Sequence, residues 1–283
     1  MKTFALEDLP PEIAEAIAAR EVEKAMHEDG FMTPVLEAMV PQHIKEHQDW
    51  FNVAQDLNKL AMSIWLDTKM KGHPLGPNAI AGRLMARATD AFAGTVILAQ
   101  RGLTVESQSL SRNIYECAFW LGYVIENAEE AAQAFMADEL FSRSQRGELV
   151  ASMLEGEEAE KVKAQAAADK AKSKEGVAAP QPKELAKRAG MEEQYMFYKA
   201  LCGFAGHASI TSLHHYVDQT DKMSYGLTIG PDVDGIPRAL LFAVMAQGTA
   251  LRAFSASAER FDSDSPSFEA IDERVAKLME AMT

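Results

Sequence analysis

Apolar residues return every three to four positions along most of this chain, and nowhere do they alternate singly with polar residues for the length of a strand. The first period lines apolar side chains along one stripe of an α-helix, whereas a half-buried strand needs the second. Residues 42–71 show the pattern most cleanly, with Trp50, Ala54, Leu57, Ala61, Ile64 and Trp65 on one stripe. Sheet-based folds are therefore excluded as the main architecture, and the chain must build its core from helix faces.

Punctuation by Pro and Gly divides the pattern. Leu9-Pro10-Pro11 predicts the start of an acidic helix over 12–27, and a loop carrying Pro34 and Pro41 leads into the long helix. KGHPLGPN closes that helix. Helices are then expected over 79–101, stopped by Gly102, and over 104–127, with Thr104 as cap and Glu106 in its first turn. Another begins at Ala128, and one covers 191–217. A helix capped by Asp234 carries Pro237 in its first turn and runs to Phe261, and the last follows Pro266. DKMSYGLTIGPDVDG reads as an irregular loop holding at most a short strand. EGEEAEKVKAQAAADKAKSKEG is almost entirely Ala, Glu, Lys, Asp and Gln. It predicts a projecting helix that frays into VAAPQPKE, so 155–190 is expected to be a charged, partly flexible insertion. The whole predicts an all-α multi-helix bundle: a single domain over 1–283, with a long helix and its lead-in at 30–72, a helical-hairpin core at 79–127 and an irregular loop near 221–235.

Charge narrows the function classes. The formal net charge of -14 is the opposite of the cationic surplus that non-specific nucleic-acid binding needs, so such binding is not expected. Cys117 and Cys202 lie in apolar helical runs with no spacing for a disulfide framework or a zinc knuckle. The first residues lack a basic segment followed by an apolar block, and the longest apolar run, 117–125, is far shorter than the roughly 20 residues of a membrane span. A cytoplasmic protein that does not enter a membrane is the expectation.

Two motifs invite a catalytic reading, and a third is absent. His43, Glu46 and His47 spell H-x-x-E-H, the inverted zinc-peptidase pattern. That pattern needs a further ligand from another helix of a mixed α/β fold, and two histidines supply half a coordination sphere. Here it runs into Gln48 and Asp49, so the histidines are read as the rim of the core, with a metal-dependent enzyme using His43, Glu46 and His47 as the weaker alternative. No histidine follows a Glu by three positions, as di-iron bundles require. Arg20 and His27 fit the loose Arg/His spacing of HEPN ribonucleases, but Arg20 is followed by Glu21 rather than a small polar residue and lies on the first helix. No cofactor is called for.

ILAQRGLTVESQSLSRNIYECAFWLGYVI, residues 97–125, is the most distinctive stretch. Leu110, Ile114, Cys117, Ala118, Leu121 and Ile125 form one apolar face, while Arg112, Glu116, Phe119, Trp120 and Tyr123 occupy the other side. Glu116 is the only carboxylate in 114–125. A carboxylate in such surroundings takes a partner or a proton, and Arg112, one turn earlier, is the obvious partner. Two readings stay open: a structural ion pair or subunit interface of a homodimer, or a pocket lined by Arg112, Glu116 and the rings. In QYMFYKALCGFAGHASITSLHHY, His207 follows Gly206 and precedes Ala208, and a meeting with Glu116 would make a proton-transfer pair.

RGLTVESQSLSRNIYECAFWL followed by YKALCGFAGHASI resembles a widespread bacterial all-helical family of unknown function. The matching positions are Arg101-Gly102-Leu103, Arg112, Glu116, Tyr198, Leu201 and His207, over roughly 83–216. The resemblance implies a helical fold and a shared Arg/Glu/His constellation, to which Tyr198 adds a ring, and no settled activity. The expected function is a binding or interaction module centred on Arg112, Glu116, Trp120 and His207. The competing class is a hydrolase, in its most concrete form a HEPN-like ribonuclease of a defence or toxin system, with Glu116 and His207 moving protons. Whether the ligand is a small molecule or RNA is left open.

Overall fold

Helices form close to where the periodicity places them, with two displaced starts. The computed structural model describes residues 34–68, 72–206, 210–218, 226–227, 229–256 and 268–282, together with 20, 21, 24 and 28. Its elements are α1 Pro34–Glu46, α2 Gln48–Asp67, α3 Pro77–Gln100, α4 Thr104–Glu126, α5 Ala128–Ala151, α6 Gly156–Ser173, α7 Pro182–Arg188 and α8 Glu192–Leu201. Helix α8 runs into a π turn, Cys202–Gly206, followed by α9 Ile210–Leu213 and a short 3-10 turn, His214–Tyr216. Val217–Asp218 and Gly226–Leu227 pair as two antiparallel residues each, and α10 Ile236–Ser255 and α11 Glu269–Glu280 complete the chain. The fold is all-α. Most of the expected 12–27 helix, His207 and Phe261 fall outside the described residues. No described helix is long and apolar enough to cross a membrane.

The first displaced start concerns HIKEH. Pro34 and Pro41 lie within α1 rather than in a loop, and His47 interrupts the path into α2. The motif therefore ends one helix instead of opening the next. Pro41, which would disturb only the turn before it, is accommodated inside α1, and the break falls later, at His47, whose backbone leaves the helical region at φ -115° and ψ 31°. The second concerns Thr104. It does not cap α4; its hydroxyl hydrogen-bonds Asp232 Oδ2 at 2.7 Å.

Helix α4 is the axis. It packs against α3, α10, α5, α7, α8 and the π turn, and its Ile114, Tyr115, Phe119, Leu121 and Tyr123 are fully buried. Most of its circumference is covered, and only a narrow stripe through Ser109, Arg112, Asn113, Glu116 and Trp120 stays partly exposed, so periodicity reveals little solvent face. The turn into α4 is pinned from three directions. Arg101 forks onto both oxygens of Glu37 in α1, at 2.8 and 2.7 Å, and His43 Nδ1 donates to the Gln100 carbonyl at 2.9 Å. Gly102, at φ +69°, accepts a backbone hydrogen bond from Asp232 at 2.9 Å.

Most side chains of the 155–190 stretch are exposed, and only Ala166, Asp169, Leu185 and Ala186 are buried. Helix α6 lies along α5 with Ala166 and Asp169 buried, and Gly147 lets the two backbones approach, since a Cβ there would meet Ala166 at 2.9 Å. Leu185 and Ala186 of α7 are buried against α4.

Burial in α4 has a consequence at alkaline pH. The Cys117 thiol is pushed from 9.0 up to about 11, chiefly by burial, and burial also raises the Tyr115 hydroxyl. Both groups hold their protons more tightly folded than unfolded, so their contribution is intact below about pH 9 and is lost as pH rises through 11. The denaturant midpoint is expected to fall between pH 9 and 11, with a shallower fall in Cys117→Ala. Equal slopes in the two proteins would refute this.

Candidate functional site

Glu116 receives its neutralising partners from two parts of the chain. Arg112, one helical turn earlier, places Nη2 at 2.8 Å from Glu116 Oε1, and Tyr198 of α8 donates its hydroxyl to the same oxygen at 2.9 Å. Arg112 Nη2 also lies 3.2 Å from the Tyr198 oxygen, its Nε donates to Cys202 Sγ at 3.2 Å, and its guanidinium sits 5.2 Å from the centre of the Tyr198 ring. Burial opposes the charge of Arg112, but the bond to Cys202 and the Glu116 carboxylate outweigh it, and its pKa goes up. Burial, reinforced by Glu116, raises Tyr198, which keeps the hydroxyl proton it donates.

The π turn explains how Cys202 takes part. One widened turn at the end of α8 sets Cys202 against Arg112, and π turns recur where a side chain must be re-aimed. Ser109 Oγ donates to the Ala205 carbonyl at 2.5 Å, and a Cβ on Gly206 would touch Arg112 Cδ at 3.4 Å. The turn thus lies over the guanidinium.

Both members of the ion pair keep some access to solvent, Arg112 with 22% and Glu116 with 36% of the side chain exposed. Every hydrogen bond that Glu116 makes among the described residues goes to Oε1, which leaves Oε2 without a partner there. Glu116 also lines a cavity of about 400 Å³ between α3, α4, α5 and the segment leading into α7. Its apolar surface includes Leu84, Leu185 and the edge-to-face pair Trp120–Phe135, whose ring centres are 5.1 Å apart, with the buried Phe119 behind them. Arg87, Asn113, Asp138 and Gln181 supply its polar surface. Partial desolvation, with the neighbouring Glu139 charge, raises the Asp138 carboxyl above its ordinary range.

The residues singled out in the sequence divide between cluster, cavity and core. Arg112, Glu116 and Tyr198 meet as one hydrogen-bonded cluster, and Glu116 and Trp120 reach the cavity, with the buried Phe119 behind them. Tyr123 does neither: it is buried, with its hydroxyl 2.8 Å from Arg188 Nη1. His207 lies outside the described residues, although Gly206, which precedes it, touches Arg112. His43 is committed to the Gln100 carbonyl, and the exposed Glu46 accepts from Gln42. Among the described residues no three of His, Cys, Asp and Glu gather as a metal ion would need.

Cys202 escaped the sequence reading, although it stands four positions after Tyr198 on the same side of the helix. Arg87 and Asp138 carried no signal, because each stands alone on a different helix and their cavity exists only once three helices have packed.

A family model described as a family of unknown function (DUF5677) matches residues 78–224, just over half of the chain, and includes every residue of the cluster and of the cavity. No curated protein and no solved structure matches the chain.

Proposed function

Taking as premise that the chain belongs to the DUF5677 family, to which no function is attached, we propose that it is a binding module whose small-molecule site is the cavity beside Glu116. The observation that carries this reading is the division of labour on one carboxylate. Oε1 is held by Arg112 and Tyr198, which fix its orientation, while Oε2 has no described partner in a residue that borders a cavity with aromatic walls. An ion pair with a purely structural role gains most when both oxygens are engaged and covered. A carboxylate oriented through one oxygen and left accessible is arranged for a ligand, and a concave apolar site with a few convergent polar groups is the usual form of a small-molecule pocket. The proposed setting is the cytoplasm, in keeping with two free cysteines.

The test is capture from a small-molecule extract. The folded protein, Glu116→Gln and Trp120→Ala are each incubated with the extract, separated by gel filtration and analysed by mass spectrometry of what denaturation releases. A compound carried by the wild type and depleted about tenfold or more on both variants is the expected result. Equal recovery from all three, or none from any, overturns the reading.

A hydrolase is the second reading, and one observation favours it. The guanidinium of Arg112 is covered by the π turn whose last residue, Gly206, is bonded to His207. In that version Arg112 holds an anionic substrate group while Glu116 and His207 handle protons. Growth inhibition on expression that disappears in folded Arg112→Ala protein would support it, and an absence of toxicity with the wild type would count against it.

A further inference from the structure

The cavity holds charges of both signs that the fold leaves unspent. Arg101, Arg188 and Arg274 are each held by a carboxylate, at 2.7, 3.0 and 2.5 Å. Arg87, by contrast, is exposed at the cavity mouth and makes no hydrogen bond or ion pair among the described residues, and the same holds for the exposed Asp138 and the half-buried Asn113. With Glu116 Oε2 they amount to one cationic, two anionic and one amide group around one opening.

These groups have not paired with one another. Arg87 on α3 and Glu116 on α4 both act on the Cys117 thiol, the first lowering and the second raising its pKa, so opposite charges flank that sulfur without an ion pair between them. Such a gap is satisfied when a molecule carrying a negative group at one end and a positive group at the other is placed across it. The remaining wall suits the body of that molecule. Trp120 and Phe135 present apolar ring surface that also attracts an ammonium group, and Pro180 and Pro182 add stiff apolar surface opposite. The volume of about 400 Å³ lies near the small end of ligand sites, which limits the occupant to a compact molecule.

We propose that the cavity binds a small zwitterion of the amino-acid type, with its carboxylate on Arg87, its ammonium between Glu116 Oε2 and Asp138, and its side chain against Trp120 and Phe135. This rests on the cavity being a binding site, as argued above, and adds the class of ligand. An anion alone would leave Glu116 Oε2 and Asp138 without a cation, and a cation alone would leave Arg87 without an anion. A zwitterion satisfies both poles.

Calorimetric titration of the full chain distinguishes these cases. The probes are the standard amino acids and, for each one that binds, its decarboxylated amine and its deaminated acid. At least one amino acid is expected to bind, with each single-charge analogue weaker by about tenfold or more. Arg87→Gln is expected to weaken the amino acid by a similar factor while sparing the amine, and Asp138→Asn to weaken both while sparing the acid. Circular dichroism checks that each variant is folded, and neither change removes a hydrogen bond or ion pair among the described residues. Binding of an amine or acid as tight as that of its amino acid, or unchanged binding by Arg87→Gln, overturns the zwitterion and leaves the cavity standing as a site. Failure of every amino acid at millimolar concentration also overturns it; if the extract nevertheless yields a compound lost in Trp120→Ala, only the ligand class is wrong. An empty extract as well removes both proposals.

Discussion

Replacing Phe119 by alanine is expected to lower the unfolding free energy by about 3–5 kcal/mol, the range for truncating a fully buried aromatic side chain. Phe119 has no exposed surface and packs among rings, with centres 6.1 Å from Tyr115, 6.4 Å from Tyr195 and 5.7 Å, edge-on, from Tyr198. Removing the ring leaves a void that these rigid neighbours cannot collapse into, so the transfer and cavity penalties add. It also removes the floor beneath Tyr198, the residue that orients Glu116, so ligand binding should fail together with stability. Trp120, the next residue, gives the contrast. It is half-buried at the cavity wall, and Trp120→Ala should cost less than half as much while still abolishing binding. Guanidinium melts of the two variants decide the matter. A Phe119→Ala midpoint at or above that of Trp120→Ala would mean that Phe119 is not part of the packed core.

The second large effect is expected at Gly102. Gly102→Ala should cost about 2–5 kcal/mol, combining the price of a left-handed conformation, about 1–2 kcal/mol, with overpacking of about 1–3 kcal/mol. Gly102 has φ +69°, and an added Cβ would fall 2.7 Å from Pro231 Cβ and 2.8 Å from Pro231 Cα. The clash is with backbone and a proline ring, neither of which can swing aside. Relief requires the 229–235 segment to lift off the start of α4. That would break the Asp232 amide bond to the Gly102 carbonyl, and it would part Asp232 Oδ2 from Thr104, at 2.7 Å. Asp232 Oδ1 also accepts the Gly235 amide at 2.9 Å at the head of α10, so the strain should reach that helix. Unfolding midpoints, with amide exchange at Asp232 and Gly235, measure both parts. A change within about 0.5 kcal/mol, as for an ordinary surface substitution, would refute the argument.

These two positions differ in how far the sequence reveals them. Gly102 is readable as a helix stop, because a glycine after an apolar run followed by Thr is a local signal. Its contact with Pro231, more than a hundred residues away, is not local and leaves no mark in either segment. Thr104 shows the same limit: it has the chemistry of a cap, yet its hydroxyl is taken by Asp232, since a tertiary carboxylate outcompetes the backbone amides of its own helix. Pro41 was read as part of a loop but lies inside α1, because packing of that helix on α2 and α3 outweighs the one backbone bond that proline removes. The alanine- and charge-rich stretch 155–190 reads as solvated and is mostly exposed, but composition alone does not disclose that Ala166 packs on α5 at Gly147.

By itself the sequence determined the all-α class, most helix limits and the Arg112–Glu116 pair, because each is a matter of spacing within one or two turns. Only the tertiary structure decided that Tyr198 and Cys202 complete the cluster, that Tyr123 turns away to Arg188, and that Arg87, Glu116 and Asp138 open onto one cavity. The physical reason lies in α4. Its one partly exposed stripe, through Ser109, Asn113, Glu116 and Trp120, is too narrow to orient it, so which neighbour meets which of the other sides is settled by packing between distant segments rather than by the period of its own residues.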